Sequence, residues 1–249
     1  MPVARVQDKV CIITGAASGL GKCSAELLAA EGARLVLADI DDAAGMAVAE
    51  SLPTAIYVHC DVTSEADWQS LFAAADAEYG RVDVLLNNAG IAVLATIEST
   101  SLEQWELIQK VNSTSVFLGC KFALEAMKDT GGSIINMSSM AALVGVPMYA
   151  AYTASKGAIR SLTKTVALHC QQKGYPIRCN SIHPGGINTP MGHKALADAD
   201  SSDLELLAGG AGAMGEPEDI GWMVVYLAAD ESRHVNGAEM VVDNAFTAA

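Results

Sequence analysis

The stretch Lys9-Val10-Cys11-Ile12-Ile13-Thr14-Gly15-Ala16-Ala17-Ser18-Gly19-Leu20-Gly21 decides the fold. Its first half is a short apolar run rich in β-branched residues, which reads as a buried strand. Its second half is a glycine turn, and a helical pattern follows as far as Glu31. Strand, glycine turn and helix N-terminus together make an anion site. Backbone N–H groups and the helix dipole converge where a phosphate can sit. A plain glycine turn would need neither flank, and both are present.

The same alternation continues outward. Ala33 to Asp39, Ala55 to Cys60, Val82 to Leu86, Ser133 to Ser139, Ile177 to His183 and Met240 to Asp243 read as strands. Between them lie helical patterns over Asp41 to Leu52, Ser64 to Tyr79 (with Thr63 or Ser64 as N-cap), Ser101 to Met127, Tyr152 to about Gln172 and Glu216 to Ala229. Alternation of this kind predicts an α/β fold. It is a doubly wound parallel sheet of about seven strands with helices on both faces, in a single domain over 1–249. Residues 188–215 show poor periodicity after a strand's carboxyl end, as a substrate lid or else a disordered surface loop would.

Ligands of such sheets lie outside the carboxyl ends of the strands. Gly15, Ser18, Gly19, Leu20 and Gly21 form the anion turn there, with spacing G-x-x-x-G-x-G rather than G-x-G-x-x-G. Asp39 ends the second strand. A carboxylate at that place accepts from adenosine ribose hydroxyls and repels a 2′-phosphate, and no Lys or Arg directly follows it. NAD is therefore favoured over NADP. The competing role for Asp39 is capping the next helix, which Asp41 or Asp42 serves equally well. Asp61 is placed to receive the adenine amino group. Asn87-Asn88-Ala89-Gly90 offers small residues against which a cofactor can lie, or simply a turn.

Tyr152 and Lys156 stand at i and i+4, so a helix puts both on one face. An ammonium beside a phenol favours the phenolate and makes Tyr152 a candidate acid/base group. Ser139 ends a strand upstream and can reach the same reacting oxygen. Asn112, inside a helical run, calls for a kink with a bound water or a solvent-facing side chain. A Tyr-x-x-x-Lys match alone is weak; the set carries the argument.

The formal net charge of −14 excludes nucleic acid and anionic membranes as partners and disfavours an acidic protein partner. No apolar run reaches membrane-spanning length, and the first residues lack a signal peptide's apolar core, so a cytoplasmic location is expected. The six cysteines contain no C-x-x-C and sit in apolar runs, as buried free thiols would. The five histidines show no ligand spacing, and no metal is expected.

Taken in order, Thr14-Gly15-x-x-x-Gly19-x-Gly21, Asn87-Asn88-Ala89-Gly90, Asn112, Ser139, Tyr152-x-x-x-Lys156 and Pro184-Gly185 resemble the short-chain dehydrogenase/reductases over nearly the whole chain. The resemblance implies a Rossmann fold and an oxidoreductase, with Tyr152 as general acid/base. It implies that Ser139 holds the substrate oxygen, Lys156 lowers the Tyr152 pKa and grips the nicotinamide ribose, and Asn112 holds a water. It lays the cofactor along Gly15, Ser18, Gly19, Leu20, Gly21, Asp39, Ile40, Asp61, Val62, Asn88, Ala89, Gly90, Tyr152, Lys156, Pro184, Gly185, Ile187 and Thr189. It also implies a dimer or, as expected here, a homotetramer. Where many members have Asp-Gly-Gly near the end, this chain has Asp243-Asn244-Ala245.

The expected substrate wall is apolar: Val93, Leu94, Met140, Ala141, Ala142, Leu143, Val144, Met148, Tyr149, Met191, Leu196 and Leu206, beside Ser139 and Tyr152. Such a wall favours a hydrophobic secondary alcohol or ketone. Segments around Gly131 and Tyr175 resemble bacterial 3β/17β-hydroxysteroid dehydrogenases, and the ending resembles cyclopentanol-type dehydrogenases. The alternatives are an NADPH-dependent 3-oxoacyl-carrier-protein reductase and a non-catalytic NAD-sensing protein.

Overall fold

Along β1 (Val10–Thr14) successive side chains enter opposite layers. Val10 and Ile12 join Trp68, Leu71, Val116 and Ile159 on one side, while Cys11 and Ile13 join Leu28, Val48, Ile220 and Val224 on the other. Period-two alternation with both faces apolar requires helices on both sides of the sheet. A computed structural model of the chain, describing residues 4–198 and 214–248, has this arrangement.

The strands that follow are β2 (Arg34–Asp39), β3 (Ala55–His59), β4 (Val84–Asn87), β5 (Gly132–Met137), β6 (Ile177–Pro184) and β7 (Glu239–Val242). They form one seven-stranded parallel sheet in the order β3-β2-β1-β4-β5-β6-β7. The order reverses between β1 and β4, and the crevice opens at that switch point. The expected doubly wound α/β sheet is therefore observed.

Helices α1 (Gly19–Ala30), α2 (Asp42–Glu50) and α8 (Pro217–Ala228) contribute to one layer. Helices α3 (Glu65–Tyr79), α5 (Ser115–Met127) and α6 (Ala150–Lys173) build the other. Two further helices, α4 (Leu102–Ile108) and α7 (Pro190–Asp198), follow β4 and β6 in the chain. Local caps explain several starts. The Ser64 and Asp41 side chains accept from Asp67 and Ala44 N–H groups, and Ser101 forms a capping box with Gln104. The capping alternative for Asp39 thus falls to Asp41. All six cysteines are buried free thiols.

The helical run expected over Ser101 to Met127 is broken. Between α4 and α5, Gln109–Thr114 form a π-helical segment, and Asn112 lies in it, wholly buried. Of the two readings of Asn112, the distorted helix holds and the solvent-facing side chain does not. Among the described residues no helix is long and apolar enough to cross a membrane. Of the expected lid, 199–213 lie outside the described residues.

Candidate active site

The cradle at the end of β1 is made of backbone. Gly15 and Gly19 have φ of +66° and +52°, where side chains are strained. A Cβ on Gly21 would stand 2.0 Å from the Gly15 carbonyl oxygen, and one on Gly15 would stand 2.9 Å from the Ala89 Cα. The Ser18 side chain makes no capping bond, and the first turn of α1 holds no acidic residue. The donors at this helix end thus face the crevice with nothing anionic of their own.

Asn88 and Thr14 stitch the cradle to β4. The Asn88 amide donates to the Thr14 and Gly15 carbonyls at 2.9 and 3.2 Å. Thr14 Oγ1 accepts from the Asn88 and Ala89 N–H groups at 3.0 and 3.1 Å. The Asn88 side chain, expected against a cofactor, spends both amide hydrogens on the turn; Ala89 and Gly90 border the crevice with backbone. Thr14 stands first in the glycine motif, but no role for it follows from sequence, because a threonine ending a strand does not show what its hydroxyl will hold.

At the end of β2 the Asp39 carboxylate accepts from Ala17 N at 2.9 Å, Ile40 N at 2.8 Å and Asp41 N at 3.1 Å. These bonds fix it beside the glycine turn with lone pairs to spare. Ile40 is 67% exposed, an apolar face beside that carboxylate. Asp61 is exposed and accepts from Thr63 N at 2.9 Å, while Val62 is buried. On the far side, Pro184 closes β6, and a Cβ on Gly185 would stand 2.9 Å from the Asp243 Cα. Ile187 is buried and bridges to Gly215; Thr189 Oγ1 accepts from Gly192 N at 3.1 Å, in the first turn of α7.

The ends of β4 to β6 are a buried network of side chains. Lys156 is 4% exposed and its Nζ donates to the Met137 carbonyl at 2.9 Å. The same Nζ lies 5.4 Å from the centre of the Tyr152 ring. The Ser139 hydroxyl acts on the Tyr152 phenol, lowering its pKa, and accepts from Ala141 N at 3.1 Å. Asn112 Oδ1 accepts from Ile91 N at 2.9 Å; its Nδ2 donates to the Ile91 carbonyl at 2.9 Å and to Ser155 Oγ at 3.0 Å. Ser155 Oγ in turn donates to the Tyr152 carbonyl at 2.7 Å. Both amide hydrogens of Asn112 are therefore spent on protein. A Cβ on Gly90 would stand 3.2 Å from Asn112 Oδ1 and 3.6 Å from Lys156 Nζ, so Gly90 joins the two halves of the cleft.

The electrostatics differ from expectation in one respect. Burial pushes the Tyr152 phenol up to about 12, opposed by the Ser139 hydroxyl, with Tyr149 adding to the rise. Burial pushes Lys156 down to about 8. In the protein alone the ammonium does not lower the phenol's pKa. The charge sits over the ring face and is spent on the Met137 carbonyl, and removal of both groups from water outweighs it.

The expected substrate wall is partly assembled. Tyr149 packs on Tyr152 with ring centres 5.6 Å apart, and Leu143, Val93 and Leu94 are half-buried. Ala141 and Met148 instead turn into the protein and are buried. Ala141 is drawn in by the bond from its N–H to Ser139. Met191 is 42% exposed at the start of α7. The Leu196 side chain and all of Leu206 lie outside the described residues.

The glycine cradle, the acid closing β2 and the Ser139–Tyr152–Lys156 group thus meet along one crevice in a parallel sheet. A family model described as enoyl-(acyl carrier protein) reductase, of short-chain dehydrogenase type, matches residues 15–247. The chain belongs to the short-chain dehydrogenase/reductase family. It is 43% identical to a 3-beta-hydroxysteroid dehydrogenase of Comamonas testosteroni over 96% of each chain. It is 42% identical to a cyclopentanol dehydrogenase of Comamonas sp. (strain NCIMB 9872), covering 99% of this chain and 100% of the relative. It is 40% identical to an NADP-dependent (R)-specific alcohol dehydrogenase of Lentilactobacillus kefiri over 98% of each. The chain is accordingly an oxidoreductase of a family that uses a nicotinamide dinucleotide.

Proposed function

We propose that the protein is an NAD-dependent dehydrogenase of hydrophobic secondary alcohols, bulky or cyclic, steroids among them, working with Tyr152, Ser139, Lys156 and Asn112. One observation carries the reading: a phenol on which a serine hydroxyl acts, with a buried ammonium over its ring, beside a glycine cradle that no side chain can fill. A nicotinamide dinucleotide fits the residues present. Gly15, Ser18, Gly19 and Gly21 would receive its pyrophosphate, Asp39 its adenosine ribose, and Lys156 the ribose near the reacting ring. When bound, it supplies the hydride acceptor or donor.

The chain's own residues supply position and a proton. Ser139 holds the substrate oxygen, and Tyr152 exchanges a proton with it. With the phenol near 12 and the ammonium near 8, the proton rests on Tyr152 at neutral pH. That state suits donation to a carbonyl. Alcohol oxidation needs the phenol emptied and is favoured as pH rises.

Asp39 supports NAD, since a 2′-phosphate there would meet a fixed carboxylate with no cation directly after it. The NADP-dependent relative is the reason to test both cofactors. The relatives' names and the half-buried apolar side chains about Tyr149 support a bulky alcohol. Exposed Leu102, Trp105, Leu107 and Phe117 on α4 and α5 support self-association, read here as a homotetramer. The test is the initial rate of reduced-nicotinamide formation with NAD and NADP, using cyclohexanol, cyclopentanol, 1-phenylethanol and a 3β-hydroxysteroid. Rates with NAD at least about tenfold above NADP are expected. A preference for NADP, or no turnover of any alcohol, would sink the reading.

A further inference from the structure

We infer that His183 is a positioning residue that aims Ser139, an inference that rests on Ser139 as the hydroxyl holding the substrate oxygen. His183 sits near the carboxyl end of β6 and is wholly buried. Its Nδ1 lies 3.0 Å from the Ser139 carbonyl oxygen, and its Nε2 lies 2.8 Å from Ser181 Oγ. A carbonyl has no proton to give, so Nδ1 carries the hydrogen and donates it. Nε2 of the neutral ring is then an acceptor, and the Ser181 hydroxyl donates to it. The result is a one-way chain of donation from Ser181 through His183 to Ser139.

The place of that chain in the sheet gives it a purpose. The ladder between β5 and β6 ends at Met137 opposite Ile182, and Ser138 N makes a last bond to the Ile182 carbonyl. Ser139 lies just beyond. Its carbonyl accepts from Ala142 N at 3.0 Å, within its own turn, and from His183 across the gap. The histidine thus replaces with a side chain the cross-strand bond that the backbone has ceased to supply. It fixes the peptide plane after Ser139, and with it the direction from which the Ser139 hydroxyl meets Tyr152. Displacements of about 1 Å at such a group are costly to turnover.

The ring is held neutral. Burial pushes its pKa down, against the bond to Ser139 and the charge of Glu239 on β7; Arg160 and Lys164 on α6 act in the same direction as burial. Arg160 and Lys164 both pair with Glu239, which screens its pull on the ring. His183 is buried behind Ser139 and has no part in proton exchange with substrate.

Asparagine and leucine have nearly the same shape, and the asparagine amide nitrogen overlies the histidine Nδ1. His183→Asn keeps the donor to Ser139, whereas His183→Leu removes it. The expected result is a kcat for the best alcohol lowered by about ten- to a hundredfold in His183→Leu and within about threefold of the parent in His183→Asn, with the dissociation constant of NADH unchanged in both. Equal losses in the two variants, or none in either, would overturn the proposal. Should His183→Leu not fold, a cycle decides: Ser181→Ala should lower kcat in the parent and have no further effect in His183→Asn, and additive effects would count against the coupling. If the parent turns over no alcohol, the functional reading has failed but the tautomer remains measurable. Nitrogen-15 shifts of labelled histidine, assigned by loss in His183→Asn, should show a neutral, Nδ1-protonated ring. An Nε2-protonated ring would refute the arrangement.

Discussion

At the carboxyl end of β1 the cleft is made of backbone, with the Asp39 carboxylate of β2 beside it, and at the ends of β4 to β6 it is made of side chains. The first half works by leaving things out: Gly15 and Gly21 admit no Cβ, and the Ser18 hydroxyl is not spent on its own helix. The second half works by burying polar groups and partnering them, as Lys156 with Met137, Asn112 with Ile91 and Ser155, and His183 with Ser139 and Ser181. The halves should fail differently. A backbone cradle breaks by steric addition, which costs stability and binding together. A buried network breaks by loss of a partner or a charge, which can separate chemistry from stability.

The largest effect is expected from Gly21→Ala. Its Cβ would meet the Gly15 carbonyl, which is backbone and cannot yield. Unfolding by urea should show a loss of about 2–3 kcal/mol, and titration with NADH a loss of affinity of more than about tenfold. A stable variant with parental affinity would mean that the turn is not the cradle.

A smaller effect, of opposite character, is expected from Lys156→Met. The Lys156 pKa is lowered in the folded chain to about 8 from its ordinary 10.5, so between those values the unfolded chain binds more protons and parental stability rises with pH. The charged form costs stability below about pH 8, and the cost fades above it. The stability difference, parent minus variant, should therefore climb by about 2–3 kcal/mol between about pH 7.5 and 10, while the variant loses turnover. A difference that stays flat would show that Lys156 keeps its ordinary pKa.

The smallest effect sharpens the contrast at the other end of the chain. Asn244 and Ala245 have φ of +52° and +64°, the conformation that Gly15 adopts without strain. Asparagine tolerates it, and alanine does not. Ala245→Gly should stabilise the protein by about 0.5–1 kcal/mol with turnover unchanged, as read by denaturant midpoint and initial rates. A destabilised variant would mean that the alanine methyl contributes packing worth more than the strain.

The backbone half was the more legible in sequence, because glycines with fixed spacing after an apolar β-branched run have few other uses. Asp39 was legible because Asp41 or Asp42 could serve as the cap equally well, which left its carboxylate another use. The side-chain half was legible only in its outline. Tyr152, Lys156 and Ser139 were named, but the partners that hold them come from strands and turns far along the chain. Thr14, Ser155 and His183 look ordinary in sequence. The shift of Tyr152 away from, rather than toward, the phenolate was illegible too, because spacing on a helix shows that two groups are near but not how much water both have lost. The π-helical segment left an ambiguous trace in the sequence: Asn112 inside a helical run called for either a kink or a solvent-facing side chain, and nothing in the spacing chose between them.

Tyr152→Phe tests the central claim most directly, since it removes one oxygen and keeps the ring beside Tyr149. Turnover of the best alcohol should fall by about a thousandfold or more, while the dissociation constant of NADH stays within about threefold of the parent. Turnover retained above about a tenth of the parental rate would contradict the assignment of the proton to Tyr152.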